Sequence, residues 1–236
     1  MYSFIKKMIE SNSDVDLNKK FTEVEALKNS FHKIAISNKV PMGPGVVGGS
    51  PCVEDLLFWY LVARTLKPKA VLEVGAWIGT STLVIAKALN EVHGDDYTIV
   101  TCDYPNNVFI TNHNYQHLSK NIYYNTVHSD MLIPQLKREG YKFDSVFSDA
   151  CLSNSNIDDF NSICNINEFA FITHDVYCSK KSKGNSAVSK LLNRYSNLRS
   201  IVPDTEAGYV YNSIPNYTIN AVTGVVLSEE IYESII

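Results

Sequence analysis

Apolar residues first fall into a regular spacing at Phe21, Val24, Leu27, Phe31, Ile34 and Ala35, the three-and-four rhythm that predicts an amphipathic helix. Residues 1–20 are polar and weakly patterned, so no element is expected there. The segment 41–51, PMGPGVVGGSP, packs three prolines and four glycines into one loop, a linker or a place where backbone approaches a ligand. A second helix is expected over Val53–Leu66, stopped by Pro68. From residue 70 the pattern changes to short β-rich runs at 70–75, 97–103, 123–130, 143–149, 169–175, 198–203 and 219–227. Helical patterns separate the first five, at 80–90, 112–120, 132–139 and, more weakly, 157–166.

Strands alternating with helices predict right-handed crossovers and an α/β fold, a mostly parallel seven-stranded sheet flanked by helices. One domain is expected: residues 1–66 as an N-terminal helical extension with its loop, and 67–236 as the ligand-binding part. Such sheets bind ligands at the carboxyl ends of their strands. Chemistry-bearing residues gather there: Glu73, Gly75, Asp103, Ser129, Asp130, Asp149, His174 and Asp175.

Composition narrows the field. With 236 residues, 45% of them hydrophobic and 19% charged, the chain has material for a sizeable core. A net charge of −4 and one short basic cluster, Lys180, Lys181 and Lys183, argue against nucleic acid. Five cysteines without CxxC spacing read as free thiols in a reducing, cytoplasmic compartment. No run reaches the roughly 20 apolar residues of a membrane span, and MYSFIKKMIE lacks the long apolar region of a signal peptide, so a soluble protein without a membrane partner is expected.

In Glu73-Val-Gly75-Ala-Trp77-Ile-Gly79 a buried strand turns into a helix, with Thr80, Ser81 and Thr82 available to cap it. The G-x-G-x-x-G dinucleotide signature is absent, which disfavours a nicotinamide oxidoreductase. Asp103 ends the next strand, where a carboxylate accepts hydrogen bonds from both hydroxyls of a nucleoside ribose.

The stretches VLEVGAWIGTST (71–82) and SDMLIPQLKREGYKFDSVFSDA (129–150) resemble the small-molecule O-methyltransferases of the catechol O-methyltransferase type, a likeness spanning roughly residues 50–180. The resemblance implies a class I, Rossmann-like S-adenosylmethionine (SAM) fold. It implies Glu73, Gly75, Trp77, Gly79 and Ser81 as SAM contacts, Asp103 as the ribose acid, and Ser129 with Asp130 on the adenine side. It further implies a divalent cation, Mg²⁺ or Mn²⁺, held by Asp149 and the pair His174-Asp175. Carboxylates suit a hard cation, whereas an imidazole suits a softer one or a proton-accepting role. A His-Asp pair here is also similar to the sugar and antibiotic O-methyltransferases.

One departure is plain: the catechol-type lysine, three residues after the strand-four acid, is Leu152 here. The base is then His174, Asp149, or a metal that lowers the acceptor's pKa. His113 and His128 read as structural, Cys151 and Cys178 as inert, and Trp59, Trp77, Tyr104 and Tyr177 as site wall or core.

The expected activity is methyl transfer from SAM to a hydroxyl of a small molecule, a sugar or other hydroxylated metabolite. The rival expectation is a SAM-fold binding or scaffold subunit without catalysis. The N-terminal helices and the 41–51 loop would cover the cofactor or wall the acceptor site, and residues after 200 would shape an acceptor pocket or a homodimer contact.

Overall fold

A computed structural model describes residues 2–37, 51–103, 118, 120–150, 152–174, 187–201, 209–214, 217–221 and 223–235. Two helices open the chain, α1 (Tyr2–Ser11) and α2 (Leu17–Ser37). The first was not expected: its apolar stripe, Phe4, Ile5 and Met8, is too short to set a period, yet all three are buried. Asn12 stitches the end of α1 to α3 (Val53–Leu66), its amide donating to Met8 O at 2.7 Å and Thr65 Oγ1 at 2.9 Å while Arg64 Nε donates to its oxygen at 2.9 Å. Every residue of α3 from Asp55 to Ala63 is buried, because the helix lies between the N-terminal helices and the sheet. Lys67, left-handed at φ 50°, ends it.

The central sheet has seven strands in the order β3-β2-β1-β4-β5-β9-β6. They are β1 (Ala70–Val74), β2 (Thr98–Cys102), β3 (Ile122–Asn125), β4 (Ser145–Ser148), β5 (Ala170–Thr173), β6 (Leu198–Ile201) and β9 (Gly224–Ser228). The first five pair in parallel, and β9 runs antiparallel to both β5 and β6. Strands β7 (Tyr209–Ile214) and β8 (Tyr217–Ala221) form a separate antiparallel pair. The single strand expected at 219–227 is therefore the end of β8 and most of β9, with β7 an addition.

Successive strand residues face opposite sides of a sheet, and each face here has its own core. Val71, Phe147 and Ile172 face α1 to α3 and α4 (Thr80–His93), while Leu72, Val146 and Phe171 face α5 (Ser129–Glu139), α6 (Asn154–Ile163) and α7 (Ala187–Arg194). Helix α8 (Glu229–Ile235) packs Ile231, Tyr232 and Ile235 on the first face. The strand expected to run to residue 130 stops at Asn125, so Ser129 and Asp130 open α5 and do not end a strand. The helix expected at 112–120 and the loop 41–51 lie largely outside the described residues.

Candidate cofactor and catalytic site

Register gathers the site. Val74 pairs with Cys102 on one side and Ser148 on the other, and Ser148 pairs with Thr173. The residues one step beyond are Asp103, Gly75, Asp149 and His174, a row across the ends of β2, β1, β4 and β5. Backbone bonds hold that step: Gly75 N to Cys102 O at 2.9 Å, Asp149 N to Val74 O at 2.9 Å, and His174 N to Ser148 O at 2.9 Å. Strand order reverses beside β1, which is where open parallel sheets form their ligand crevice.

Gly75 has φ +91°, and a Cβ there would sit 2.8 Å from Asp149 O. The absent side chain is what lets the β1 and β4 loops close together. Trp77 is left-handed at φ 42°, a conformation that costs a bulky residue on the order of 1–3 kcal/mol. Its N–H donates to Asp103 Oδ2, tying the loop to the end of β2. Its ring is buried edge-on against His32 of α2, with centroids 5.8 Å apart. Gly79, also left-handed, caps α4.

Glu73 is buried within the strand-to-helix unit. Ser81 Oγ donates to its Oε1 at 2.7 Å and Thr82 Oγ1 to its Oε2 at 2.5 Å. Burial raises its pKa, and the two hydroxyls work against that rise. Glu73 and Ser81 thus bind each other across the turn, and Thr82 joins them although the sequence pattern gave it only a capping role.

A cavity of about 190 Å³ is lined by Val74, Gly75, Cys102, Asp103, His128, Ser129 and Ala150. It brings together three of the residues expected at a nucleoside: Gly75, Asp103 and Ser129. A carboxylate offers about four acceptor sites, so the bond from Trp77 and a ribose hydroxyl are compatible at Asp103. Ser129 Oγ donates to Asn156 Oδ1 at 3.1 Å. Asp130 turns away to accept from Ser153 Oγ at 2.7 Å, and His128 caps α5, its Nδ1 accepting from Asp130 N at 3.2 Å. A larger cleft of about 720 Å³ lies at the opposite end of the sheet, around Phe143, Cys164 and Tyr195. Its acid, Asp144, accepts from the backbone of Lys69 and Ala70 at 2.8 and 2.9 Å, so the cleft offers packing and no reactive cluster.

Next to the cavity, Asp149 Oδ1 lies 3.1 Å from His174 Nδ1. The other ring nitrogen, Nε2, lies 3.2 Å from Oδ2 of Asp55, a fully buried acid on α3. Cys52 Sγ donates to the same oxygen at 2.8 Å, Thr223 Oγ1 donates to Oδ1 at 2.8 Å, and Trp59 Nε1 donates to Thr223 Oγ1 at 3.0 Å. Sequence reasoning missed Asp55 and Thr223. The signal for the first was a carboxylate inside an otherwise apolar helix face. Trp59 is core, edge-on to Phe147 at 5.4 Å.

Two of the three expected metal ligands, Asp149 and His174, meet here. A metal-bound imidazole donates its second N–H to a carboxylate, a part that Asp55 fits, while in this structure Nδ1 faces Asp149 directly. Asp175, the third expected ligand, lies outside the described residues, as do Tyr104, His113, Cys151, Tyr177 and Cys178. Among the described residues, no group of three acids, histidines and cysteines is placed to hold a metal ion. Leu152 is buried in the second core, with its carbonyl accepting from Lys190 Nζ at 2.9 Å. Burial pushes the thiol pKa of Cys52, Cys102 and Cys164 upward, that of Cys102 to about 12, which disfavours the reactive thiolate. No described helix is long and apolar enough to cross a membrane.

No protein-family model matches the chain, and no curated protein matches it. Solved structures do. The O-methyltransferase of Bacillus cereus in complex with SAH aligns at 14% identity over 86% of this chain and 91% of that one, with a TM-score of 0.56. TomG, an O-methyltransferase from Streptomyces achromogenes in complex with SAM, aligns at 14% over 86% and 89%, with a TM-score of 0.57. A methyltransferase from Geobacter sulfurreducens aligns at 13% over 86% and 90%, with a TM-score of 0.51. The chain has the Rossmann-like fold of class I SAM-dependent O-methyltransferases.

Proposed function

We propose that the chain is a SAM-dependent O-methyltransferase acting on a hydroxyl of a small molecule, a sugar or other hydroxylated metabolite. The observation that carries this reading is the row Asp103, Gly75, Asp149 and His174. It sets a nucleoside-sized cavity beside a carboxylate and imidazole pair at adjacent strand ends. Asp103, Gly75, Trp77 and Ser129 would hold the nucleoside, and Glu73 with Ser81 and Gly79 keeps the loop in shape.

Bound SAM supplies a sulfonium methyl group; the acceptor oxygen bonds to that carbon as the C–S bond breaks, its electron pair staying on sulfur in S-adenosylhomocysteine. The chain's part is to orient the acceptor oxygen and take its proton, which passes to the Asp149–His174 pair. That pair offers a proton acceptor without a cation, which suits the absence of a lysine at position 152.

Calorimetry tests the cofactor half: S-adenosylhomocysteine should bind and NAD should not. Asp103→Ala removes charge-assisted bonds worth roughly 1.5–3 kcal/mol each, so affinity should fall at least about tenfold. Unchanged affinity would sink the ribose assignment. Incubation with SAM and a panel of hydroxylated small molecules tests the other half. Release of S-adenosylhomocysteine marks an enzyme, and binding without release on every acceptor marks a SAM-binding subunit.

A further inference from the structure

We propose that Asp55, from the N-terminal extension, is the positioning residue of the catalytic pair. It fixes His174 with the proton on Nε2 and turns Nδ1 toward Asp149 and the strand ends. The inference rests on the O-methyltransferase reading above and assigns a third partner to its base.

The direction of each bond follows from chemistry. An indole N–H only donates, so Thr223 Oγ1 accepts from Trp59, and the hydroxyl's one proton points to Asp55 Oδ1. Burial pushes the Cys52 thiol pKa upward, and Asp55 beside it adds to the rise, so Cys52 keeps its proton and donates to Oδ2. Asp55 therefore acts as an acceptor at both oxygens, and the bond to His174 takes its proton from Nε2. With Nε2 so occupied, Nδ1, 3.1 Å from Asp149 Oδ1, shares with that carboxylate the proton that the pair exchanges with the acceptor.

Backbone register supports the same grouping. Thr173 pairs with Gly224 in the antiparallel β5–β9 ladder, so the next step places His174 opposite Thr223. Asp55 reaches both from α3, and Trp59, four residues on along the same helix face, reaches Thr223. A fully buried carboxylate is costly in an apolar helix unless it is matched by donors. His174, Thr223 and Cys52 supply those donors, so the carboxylate is placed by its polar partners.

The test reads the imidazole directly and needs no acceptor. In the full-length ¹⁵N-labelled protein at about pH 8, above the ordinary imidazole range, His174 is assigned by comparison with His174→Gln. The expected wild-type spectrum has Nε2 protonated, with a proton protected from exchange. Asp55→Asn should lose that protection while binding S-adenosylhomocysteine as the wild type does, because Asp55 does not line the nucleoside cavity. An unprotonated Nε2 in the wild type overturns the proposal, and so does an Nε2 proton equally protected in Asp55→Asn. If Asp55→Asn does not fold, Thr223→Val takes its place. It removes the bond that orients the carboxylate, so faster exchange at Nε2 supports the proposal and an unchanged rate overturns it. Failure of the O-methyltransferase reading is told apart by the wild type failing to bind S-adenosylhomocysteine at all.

Discussion

Replacing Gly75 with alanine probes the closest approach in the site. The new Cβ would lie 2.8 Å from Asp149 O, 2.9 Å from Asp149 C and 3.0 Å from Ala150 Cβ. Two of these atoms are backbone and the third is fixed to it, so no rotamer change relieves the overlap. The φ of +91° adds strain of about 1–3 kcal/mol for any side chain, and pushing the β4 loop aside costs about 1–3 kcal/mol more. The total, roughly 2–6 kcal/mol, corresponds to a fall in melting temperature on the order of 5–20 °C for a chain of this length. Gly140→Ala is the control: its φ is +76° and nothing lies within 4 Å of its Cβ, so it carries the conformational cost alone. Scanning calorimetry on both variants isolates the overlap as the difference, about 1–3 kcal/mol. The overlap also displaces the backbone that presents Asp149, so Gly75→Ala should bind S-adenosylhomocysteine more weakly while Gly140→Ala binds normally. Equal melting temperatures together with wild-type affinity would refute the close packing of Gly75 on Asp149.

Met8→Ala opens a hole under α1 and should cost about 2–5 kcal/mol in urea unfolding; no change would mean that α1 does not contribute to the core. Burial disfavours the charged form of Glu23, but Lys87 and Lys20 outweigh it and hold its pKa below the ordinary 4.5. Its stabilisation is therefore present above that value and lost as pH falls through the lowered pKa, so Lys87→Met should melt earlier than wild type near neutrality, and the gap should narrow below about pH 4.5. Excess chelator should leave melting temperature, cofactor affinity and any turnover of the wild type unchanged; a loss that Mg²⁺ or Mn²⁺ reverses would restore the metal reading.

Much of the fold was legible because its signals are local. Val53–Leu66 is stopped by Pro68, and the five parallel strands carry short apolar runs that end in glycine or polar residues. The row Gly75, Asp103, Asp149 and His174 was legible as strand ends, since counting to the end of an apolar run is a one-dimensional task. What failed was long-range or short-period. Helix α1 has one buried patch and no repeat, and its place is set by Asn12 and by Arg64, which joins Asp14 at 2.6 Å and Glu91 at 2.8 Å. Ser129 was read as a strand end because YYNTVH continues the β-rich composition past Asn125; the turn follows from His128 capping α5. Asp55 and Thr223 were invisible for another reason. They are 168 residues apart, and their meeting depends on β9 pairing antiparallel beside β5.

Charge ties these parts together. Among the described residues, the carboxyl edge of the sheet carries Asp103 and Asp149, with Asp55 just behind, and the histidines beside them are His32, His128 and His174. An edge with this excess of acid favours a cationic ligand over a neutral one. On the proposed reading, the ligand arrives with a sulfonium charge and leaves without it, while the acceptor's proton stays on the Asp149–His174 pair. The positive charge is thus moved within the site and not lost from it. A free lysine base would have to be held neutral before turnover, against the pull of the same carboxylates. A histidine between two acids feels the same pull, but Asp149, in contact with Nδ1, gives the pair a second group that can take the acceptor's proton.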